Sequence, residues 1–328
     1  MSTLENIARQ GKRFIHFSAQ NTFSFSEHLL AFFFKGQIKK KQYIFIIGPP
    51  RSGSTLIMQA ISDAFKIGYL TNKHCLFFGA PSIAEWISRP LVRKEPSHYK
   101  SSYGRTNHFS EPAECGAWWY RFFRKYPAYV SLEDVSNLNM SAFRRSLASL
   151  GGAMGLPLIF KNLYASLRLE PIAHYVPNAL FIVIERDWVD NGQSILKGRY
   201  DTLGDYGKWW SVPPPNVDEL AELPPVQQVV AQIESIHDLI DRDLHRLGLE
   251  EQTFRIRYED FCQDVYGTLD AFQAFMAHHG VDLERRFDVP AQFPINRSVK
   301  IPQSMYEQLQ AEVAKRQERR AAVREQCQ

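Results

Sequence analysis

An apolar strand followed by a glycine- and hydroxyl-rich turn constrains the fold more than any other segment of the chain. The run Tyr43–Ile47 is uniformly apolar, Gly48 and Gly53 bracket the turn, and a helical pattern follows. A strand, a turn and a helix in this order are typical of a phosphate-binding loop. Position 54, where nucleoside triphosphate enzymes carry a lysine, is occupied by Ser54, and the cation of the loop stands earlier, at Arg51.

The residues of this turn are suited to binding an anion. Backbone N–H groups at the start of a helix are unpaired, and the helix dipole favours negative charge there. Gly53 permits close approach of a ligand, the hydroxyls of Ser52, Ser54 and Thr55 add donors, and Arg51 supplies a planar charge. The alternative is a plain strand-turn-helix with a Ser/Thr-rich cap. The number of converging donors favours a phosphate or sulfate site.

Length and composition limit the possible domain organisation and the kinds of ligand that the protein can bind. A chain of 328 residues with 45% hydrophobic residues predicts one large α/β domain, with an N-terminal segment at 1–42, a core at 43–300 and a C-terminal charged helix at 301–328. The net charge of +4 suits a polyanionic small molecule but not a nucleic-acid partner. Four cysteines without paired spacing indicate neither a disulfide framework nor a metal site.

The N-terminal segment carries the localisation hypothesis. It lacks a basic leader followed by an apolar run, and its longest apolar stretch, 29–34, is far shorter than the roughly 20 residues that span a bilayer. We therefore predict a soluble, cytoplasmic protein. Aromatic and cationic residues alternate over 9–41, which predicts an amphipathic helix packed on the domain or, alternatively, peripheral membrane contact.

Short apolar runs separated by helical patterns predict a central parallel sheet flanked by helices. The predicted strands are Tyr43–Ile47, Leu158–Lys161, 180–185 and 254–258. Helices are predicted after Thr55 and over 141–150, 168–175, 227–247, 261–278 and 306–328. Two inserts, near 80–135 and 212–225, are rich in aromatic residues and prolines, and we expect them to form the substrate side.

A second motif follows the predicted strand at 180–185. The strand delivers Arg186, and Ser194 follows eight residues later on the predicted next helix. Ligands of open α/β sheets bind at the carboxyl ends of strands, the edge that also carries the loop. Arg186 and Ser194 could therefore bind a second anionic group of the same ligand. Two anion sites on one edge indicate a bisphosphorylated nucleotide.

These motifs together resemble those of the sulfotransferases that use 3′-phosphoadenylyl sulfate (PAPS). The sequence GPPRSGSTL at 48–56 resembles the 5′-phosphosulfate loop of that family, and the spacing of Arg186 and Ser194 resembles its 3′-phosphate motif. RYEDF at 257–261, followed by GTL at 267–269, is similar to its Tyr-Glu-Asp segment. The resemblance, closer to the bacterial and carbohydrate branch than to the cytosolic small-molecule branch, implies a P-loop-like fold, PAPS as co-substrate, the bisphosphate PAP as product, and no metal.

The resemblance also implies residue roles. Arg51 takes the cation position beside the transferred sulfuryl group, residues 52–55 hold the 5′-phosphate, Tyr258 lies near adenine, and Arg297 belongs to a late basic loop that closes on the 3′-phosphate. The chain departs from the family in three ways. Arginine stands at position 51 where cytosolic members have lysine, Trp188 stands where they have proline, and their glycine-rich late loop is absent.

Sulfuryl transfer to a hydroxyl requires in-line positioning, cationic stabilisation and a proton acceptor. Related glycan and tyrosine enzymes place a glutamate about twenty residues past the loop, where His74 is the nearest base here. Glu111 is the main competitor, with His108 and Glu114 beside it. The non-catalytic alternatives are a structural role for His74 and, for Glu111, a favourable charge at a helix N-terminus. Lys161, at a strand end, either lines the pocket or reaches solvent.

Clustered aromatic residues bear on the acceptor. Such clusters stack on sugar rings or, more often, fill a core. The residues are Trp118, Trp119, Tyr120, Trp209 and Trp210. We predict an acceptor hydroxyl on a glycan or glycolipid. A nucleotide-dependent kinase is the first alternative, against which the missing loop lysine argues. A non-catalytic nucleotide-binding module is the second.

Overall fold

A sheet of parallel strands forms the centre of the molecule. The computed structural model describes residues 41–89, 94–101, 104, 106 and 108–326. The strands of this part of the chain are β1 (Tyr43–Ile47), β2 (Gly68–Tyr69), β3 (Leu158–Lys161), β4 (Ala179–Glu185) and β5 (Thr253–Arg257). Within the described residues they form one five-stranded parallel sheet in the order β2-β3-β1-β4-β5.

Strand β1 lies in the middle of this sheet, between β3 and β4. Tyr43 pairs with Leu158 on one side and with Ala179 on the other. Every residue of β1 is fully buried, which explains why its sequence is apolar throughout instead of alternating. The chain continues to β2 and β3 on one side of β1 and to β4 and β5 on the other, so the strand order reverses here. The crevice outside the carboxyl end of β1 is thus the expected ligand site.

Helices cover both faces of the sheet. Their bounds are α1 (Ser54–Ala64), α2 (Asn72–Leu76), α3 (Pro81–Ser88), α4 (Gly116–Trp119), α5 (Met140–Met154), α6 (Leu169–Tyr175), α7 (Trp188–Leu203), α8 (Val217–Ala221), α9 (Pro225–Leu247), α10 (Tyr258–Gln263), α11 (Val265–His278) and α12 (Gln303–Gln326). Within the described ranges, 3₁₀ helices span Glu133–Asn137 and Leu163–Leu167.

The parallel sheet with flanking helices confirms the predicted fold class. The predicted strands at Tyr43–Ile47 and Leu158–Lys161 have the bounds of β1 and β3, and those at 180–185 and 254–258 differ from β4 and β5 by one residue. Strand β2 has only two residues, too few for a periodic pattern, and the sequence did not indicate it.

The predicted helices also form, with one difference. The helix predicted over 261–278 is two helices, α10 and α11, because Asp264 interrupts the run. The Asp264 carboxylate accepts a hydrogen bond from the backbone N–H of Gly267 at 2.8 Å and so caps α11. The insert at 80–135 contains the short helices α3 and α4, and the insert at 212–225 contains α8.

Alternate residues of β1 point into two different hydrophobic clusters. Phe45 packs with Trp118 and Trp119 on one face, and Ile44 packs with α1 and α11 on the other. Trp118 stacks on Phe160 with ring centroids 5.6 Å apart, and both tryptophans are fully buried. These two tryptophans therefore fill the core and do not reach an acceptor.

The C-terminal helix α12 packs on α7 and α9. A Cβ atom on Gly192 of α7 would lie 2.9 Å from Leu309 of α12, so the two helices approach closely. Arg316 and Arg319 of α12 both pair with Glu234 of α9. The charged face of this helix is thus partly engaged with the domain.

Several hypotheses concern residues outside the described ranges. The proposed amphipathic segment lies almost wholly within 1–40 and stays a prediction, as does its membrane contact. Cys327 is likewise outside. Among the helices that the structure does describe, none combines the length and apolar character needed to cross a bilayer.

Candidate active site

The turn between β1 and α1 is shaped by close backbone contacts. A Cβ atom on Gly48 would lie 2.8 Å from the carbonyl oxygen of Ile184 in the neighbouring strand. Gly53 has a left-handed φ of 93°, and a Cβ there would lie 2.1 Å from the ring of Tyr258. Arg51 also has a positive φ, of 66°, which a residue with a side chain rarely adopts. Glycine is therefore required at both turn positions, and the arginine is held in a strained conformation.

The turn presents donors without protein acceptors. Ser52 is fully buried, and its hydroxyl has no hydrogen-bond partner among the described residues. Ser54 is buried at the first position of α1, and the first turn of that helix holds no acidic residue and no side-chain cap. A buried hydroxyl without a partner beside a helix N-terminus is the donor set of an anion site.

The second arginine motif meets the turn directly. Nη1 of Arg186, which follows β4, donates to the carbonyl oxygen of Arg51 at 2.8 Å, across 135 residues of sequence. Nε of Arg51 in turn donates to Oγ of Ser194 on α7 at 3.0 Å. Nε of Arg186 is buried without a partner in the described part of the chain. The structure thus joins the two motifs in one network.

Tyr258 closes the network from β5. It begins α10, and its ring lies against Gly53 and under the Arg186 guanidinium, 4.7 Å from the ring centroid. Burial raises the pKa of the Tyr258 hydroxyl to about 12, so it is a neutral donor near pH 7. The next residue, Glu259, accepts a hydrogen bond from the backbone N–H of Asp187 at 3.1 Å. The ends of β4 and β5 are thereby tied together.

A cavity of about 630 Å³ adjoins the turn. Its wall combines Arg51 and Arg186 with residues of the substrate-side insert. Nζ of Lys161, at the end of β3, donates to Oγ1 of Thr55 at 2.8 Å and lies 2.7 Å from a carboxylate oxygen of Glu114. The Lys161 side chain is 4% exposed, so it does not simply reach solvent. Other lining residues are Asn72, Cys75, Thr106, Cys115, Leu163 and Trp210.

The structure does not bring His74 to this cavity. Nδ1 of His74 accepts from the backbone N–H of Thr71 at 2.9 Å in a capping box, and Nε2 lies 3.2 Å from the Glu85 carboxylate. The ring is fully buried, and burial lowers its pKa. It lines a separate cavity of about 640 Å³. Asn72 and Cys75 of the same helix line the loop cavity, so His74 projects from another side of α2.

The other candidate bases differ in their position relative to the loop cavity. Glu111 is buried and accepts from the backbone N–H of His98 at 3.2 Å, and it does not line the loop cavity. His108 is exposed and packs on the His98 ring with centroids 4.4 Å apart. Among the four candidates, all of which the structure describes, Glu114 is the one that lines the loop cavity.

The late basic loop contains two cations, Arg297 and Lys300. Arg297 is exposed. Lys300 is half-buried, and its backbone N–H donates to the side chain of Gln193 on α7 at 3.1 Å. Burial lowers the pKa of Lys300, and the nearby charges of Arg186 and Arg51 lower it further. Lys300 thus lies within electrostatic reach of both site arginines.

Sequence reasoning also missed two polar residues that hold the turn. The backbone N–H of Gly48 donates to Oγ of Ser166 at 2.9 Å, and that hydroxyl donates back to the Gly48 carbonyl at 3.2 Å. Nδ2 of Asn191 donates to the carbonyl oxygen of Pro50 at 2.6 Å. Asn191 precedes Ser194 by three residues on one helix face, a spacing that could have indicated it. Ser166 carries no comparable signal.

A parallel sheet with a glycine- and hydroxyl-rich turn at the end of its central strand is a P-loop-like α/β architecture. A family model described as "Sulfotransferase family" matches residues 43–278. This match covers most of the chain and includes β1 to β5, the turn, Arg186 and Tyr258. The chain belongs to the sulfotransferase family.

Solved structures of bacterial sulfotransferases are similar to this chain. STF9 from Mycobacterium avium is 12% identical, with a TM-score of 0.47 over 84% of this chain and 68% of that one. A sulfotransferase from Alicyclobacillus acidocaldarius is 15% identical, with a TM-score of 0.44 over 84% and 92%. STF1 from Mycobacterium tuberculosis H37Rv is 15% identical, with a TM-score of 0.43 over 74% and 68%. No curated protein matches the sequence.

Proposed function

We propose that this protein transfers the sulfuryl group of PAPS to a hydroxyl of a carbohydrate or glycolipid acceptor. Membership of the sulfotransferase family supports the reaction class. One observation supports the bisphosphorylated donor above all others, the network in which Arg186 donates to the Arg51 carbonyl and Arg51 donates to Ser194. It holds the two predicted anion-binding motifs at one edge of the sheet, as a ligand with two phosphate groups requires.

The polar groups of the site fit such a donor. The Ser52 hydroxyl and Nε of Arg186 are buried without partners among the described residues, and ligand phosphate oxygens would satisfy both. Ser194 accepts a hydrogen bond from Arg51, so its own O–H is available to donate. We assign the 5′-phosphosulfate to Arg51 and residues 52–55. We assign binding of the 3′-phosphate to Arg186, Ser194 and Lys300, and we place Tyr258 near adenine.

We assign the steps of sulfuryl transfer to three residues that line the cavity. PAPS supplies the activated sulfuryl group and a phosphate leaving group. Arg51 neutralises the charge that develops on that phosphate. Glu114 accepts the proton of the acceptor hydroxyl, and Lys161 orients it through the 2.7 Å ion pair while contacting Thr55 of the loop. His74 has no part in this assignment, because it caps α2 and faces another cavity.

The acceptor class rests on fewer observations. Trp210 is the predicted sugar-stacking tryptophan that lines the cavity, whereas Trp118 and Trp119 are core residues. An aromatic face beside a carboxylate is suited to a sugar ring with a reacting hydroxyl. With the resemblance to the carbohydrate branch, this favours a glycan or glycolipid.

Calorimetric titration without metal tests the donor assignment. We expect PAP to bind more tightly than AMP or ATP, because only PAP supplies a group for each anion-binding motif. Arg186→Ala should weaken PAP binding at least tenfold, about 1.4 kcal/mol. Arg285→Ala is the control, since Arg285 pairs with Asp270 outside the cavity, and it should bind PAP as the wild type does. Magnesium-dependent preference for ATP would instead identify a phosphoryl transferase.

A further inference from the structure

Two cysteines that are far apart in the sequence meet in the loop cavity. Cys75 lies on α2 and Cys115 immediately precedes α4, and both line the cavity beside Glu114. Both thiols are free, and Cys75 packs against the hydrophobic cluster that contains Cys115. Cys262 is also a free thiol, but it is buried in the cluster on the other face of the sheet. The described residues thus include two thiols that line the cavity and a third that does not line it.

The two thiols of the pair are not equivalent. Cys75 is half-buried and lines the cavity, whereas Cys115 is 4% exposed. Hydrogen bonds from the thiol and the backbone N–H of Cys115 lower the pKa of Cys75. The same thiol contact raises the pKa of Cys115, together with burial. Cys75 is therefore the better nucleophile and Cys115 is the partner positioned to resolve it.

We propose that Cys75 and Cys115 form an oxidation site, at which a hydroperoxide converts the two thiols into a disulfide that stops transfer. The Cys75 thiolate attacks a peroxide oxygen, the O–O bond breaks, and a sulfenic acid forms. The Cys115 sulfur then attacks the Cys75 sulfur, so that the S–S bond forms, the S–O bond breaks and water leaves. The two sulfurs lose two electrons, and hydrogen peroxide is reduced to water.

The expected effect on transfer rests on the proposed function. An S–S bond of about 2.05 Å is much shorter than the van der Waals contact between two sulfur atoms, so the segments that carry the two cysteines must move together. Cys115 has a left-handed backbone, with φ of 48°, and directly follows Glu114. A shift of Cys115 therefore displaces the proposed base. Arg51 and Arg186 follow β1 and β4, so donor binding should persist.

Peptide mapping of peroxide-treated protein tests the disulfide without reference to activity. The intact mass should fall by about 2 Da, the mass of two hydrogens, and the thiol count after denaturation should fall from the four cysteines of the chain to two. A tryptic digest without reductant should contain peptides 74–93 and 106–121 joined, and dithiothreitol should separate them. Unlinked peptides, or sulfinic acid on Cys75 in their place, would overturn the proposal.

Variants identify the order of the two steps. Cys115→Ser should accumulate a sulfenic acid on Cys75 that dimedone traps, and Cys75→Ser should yield neither the adduct nor the disulfide. Cys262→Ser is the matched control and should form the disulfide as the wild type does. If Cys115→Ser fails to fold, Cys115→Ala gives the same test. Dimedone trapped on Cys115 in Cys75→Ser would contradict the assigned order.

The functional half of the proposal is measured on the oxidised wild type. We expect PAP affinity within about twofold of the reduced protein and transfer reduced at least tenfold, with both values restored by dithiothreitol. Linked peptides with undiminished transfer would refute the inhibitory role. Absence of transfer in the reduced protein would refute the proposed function and leave the disulfide result standing.

Discussion

Substituting Gly53 by alanine tests whether the turn is shaped by its contact with Tyr258. A left-handed backbone costs a residue with a Cβ about 1–2 kcal/mol. The new Cβ would also lie 2.1 Å and 2.4 Å from two ring atoms of Tyr258, so the ring must move, and overpacking of this kind costs about 1–3 kcal/mol more. We expect Gly53→Ala to lower the free energy of unfolding by about 2–5 kcal/mol.

Gly204→Ala separates the two contributions. Gly204 also has a left-handed φ, of 69°, but nothing lies within 4 Å of its Cβ position. Its substitution should cost only the backbone contribution, about 1–2 kcal/mol. Denaturant titration of both variants measures the difference. In a double-mutant cycle, Tyr258→Ala should remove most of the additional cost of Gly53→Ala, because it removes the clashing ring.

Donor binding provides the second readout. Displacing Tyr258 moves it from the Arg186 guanidinium, which lies 4.7 Å from its ring centroid, so Gly53→Ala should weaken PAP binding at least tenfold. Gly204→Ala should leave PAP affinity unchanged. Equal losses of stability in Gly53→Ala and Gly204→Ala would refute the steric reasoning, and so would normal PAP affinity in Gly53→Ala.

Three further predictions concern individual charges. Glu114→Gln should reduce transfer about 10²-fold or more with PAP affinity within about threefold, whereas His74→Ala should retain transfer per folded molecule, as steady-state kinetics would show. Lys300→Ala should weaken PAP binding several-fold in calorimetry, whereas Arg297→Ala should not. Burial opposes ionisation of Glu85, but its hydrogen bonds with His74 and Lys73 outweigh burial and lower the pKa to about 2. The stability that ionised Glu85 contributes is therefore complete above its unfolded pKa of 4.5 and is lost as pH falls towards 2. In Glu85→Gln the free energy of unfolding should therefore depend less on pH in that window, as denaturant titrations at several pH values would show.

Each of these predictions has a contradicting outcome. Normal transfer in Glu114→Gln would remove Glu114 as the base, and loss of transfer in a well-folded His74→Ala would restore the imidazole. Equal PAP affinities of the Lys300 and Arg297 variants would place the late loop away from the 3′-phosphate. An unchanged acid limb in Glu85→Gln would show that the lowered pKa of Glu85 does not stabilise the fold.

Short-range patterns determined the main elements of this protein. Strand β1 could be predicted directly from the sequence, because a strand buried on both faces is apolar at every position. The turn after β1 was equally readable, since its glycines and hydroxyls are contiguous. Arg186 and Ser194 were recognisable because their spacing lies within one strand-helix unit. These features depend on neighbours in sequence.

The tertiary structure alone decided which side chains share the cavity. His74 and Cys75 are adjacent in sequence, but α2 directs them to different cavities, and sequence cannot show which face of a short helix meets the loop. The same limit explains why the sequence did not single out Lys300, which belongs to an irregular segment without periodicity. In the sequence Glu114 was one of four candidate bases, and the structure shows its ion pair with Lys161 beside the loop.

The parallel α/β fold, the glycine- and hydroxyl-rich turn and the second arginine motif were predictable from the sequence, because each is encoded by local hydrophobic periodicity or by residues close in sequence. The arrangement of these segments relative to one another came from the three-dimensional structure. The Arg51–Ser194 contact, the Lys161–Glu114 pair and the Cys75–Cys115 pair each join segments that are distant in the sequence. Contacts of this kind depend on the path of the whole chain, which local patterns do not specify.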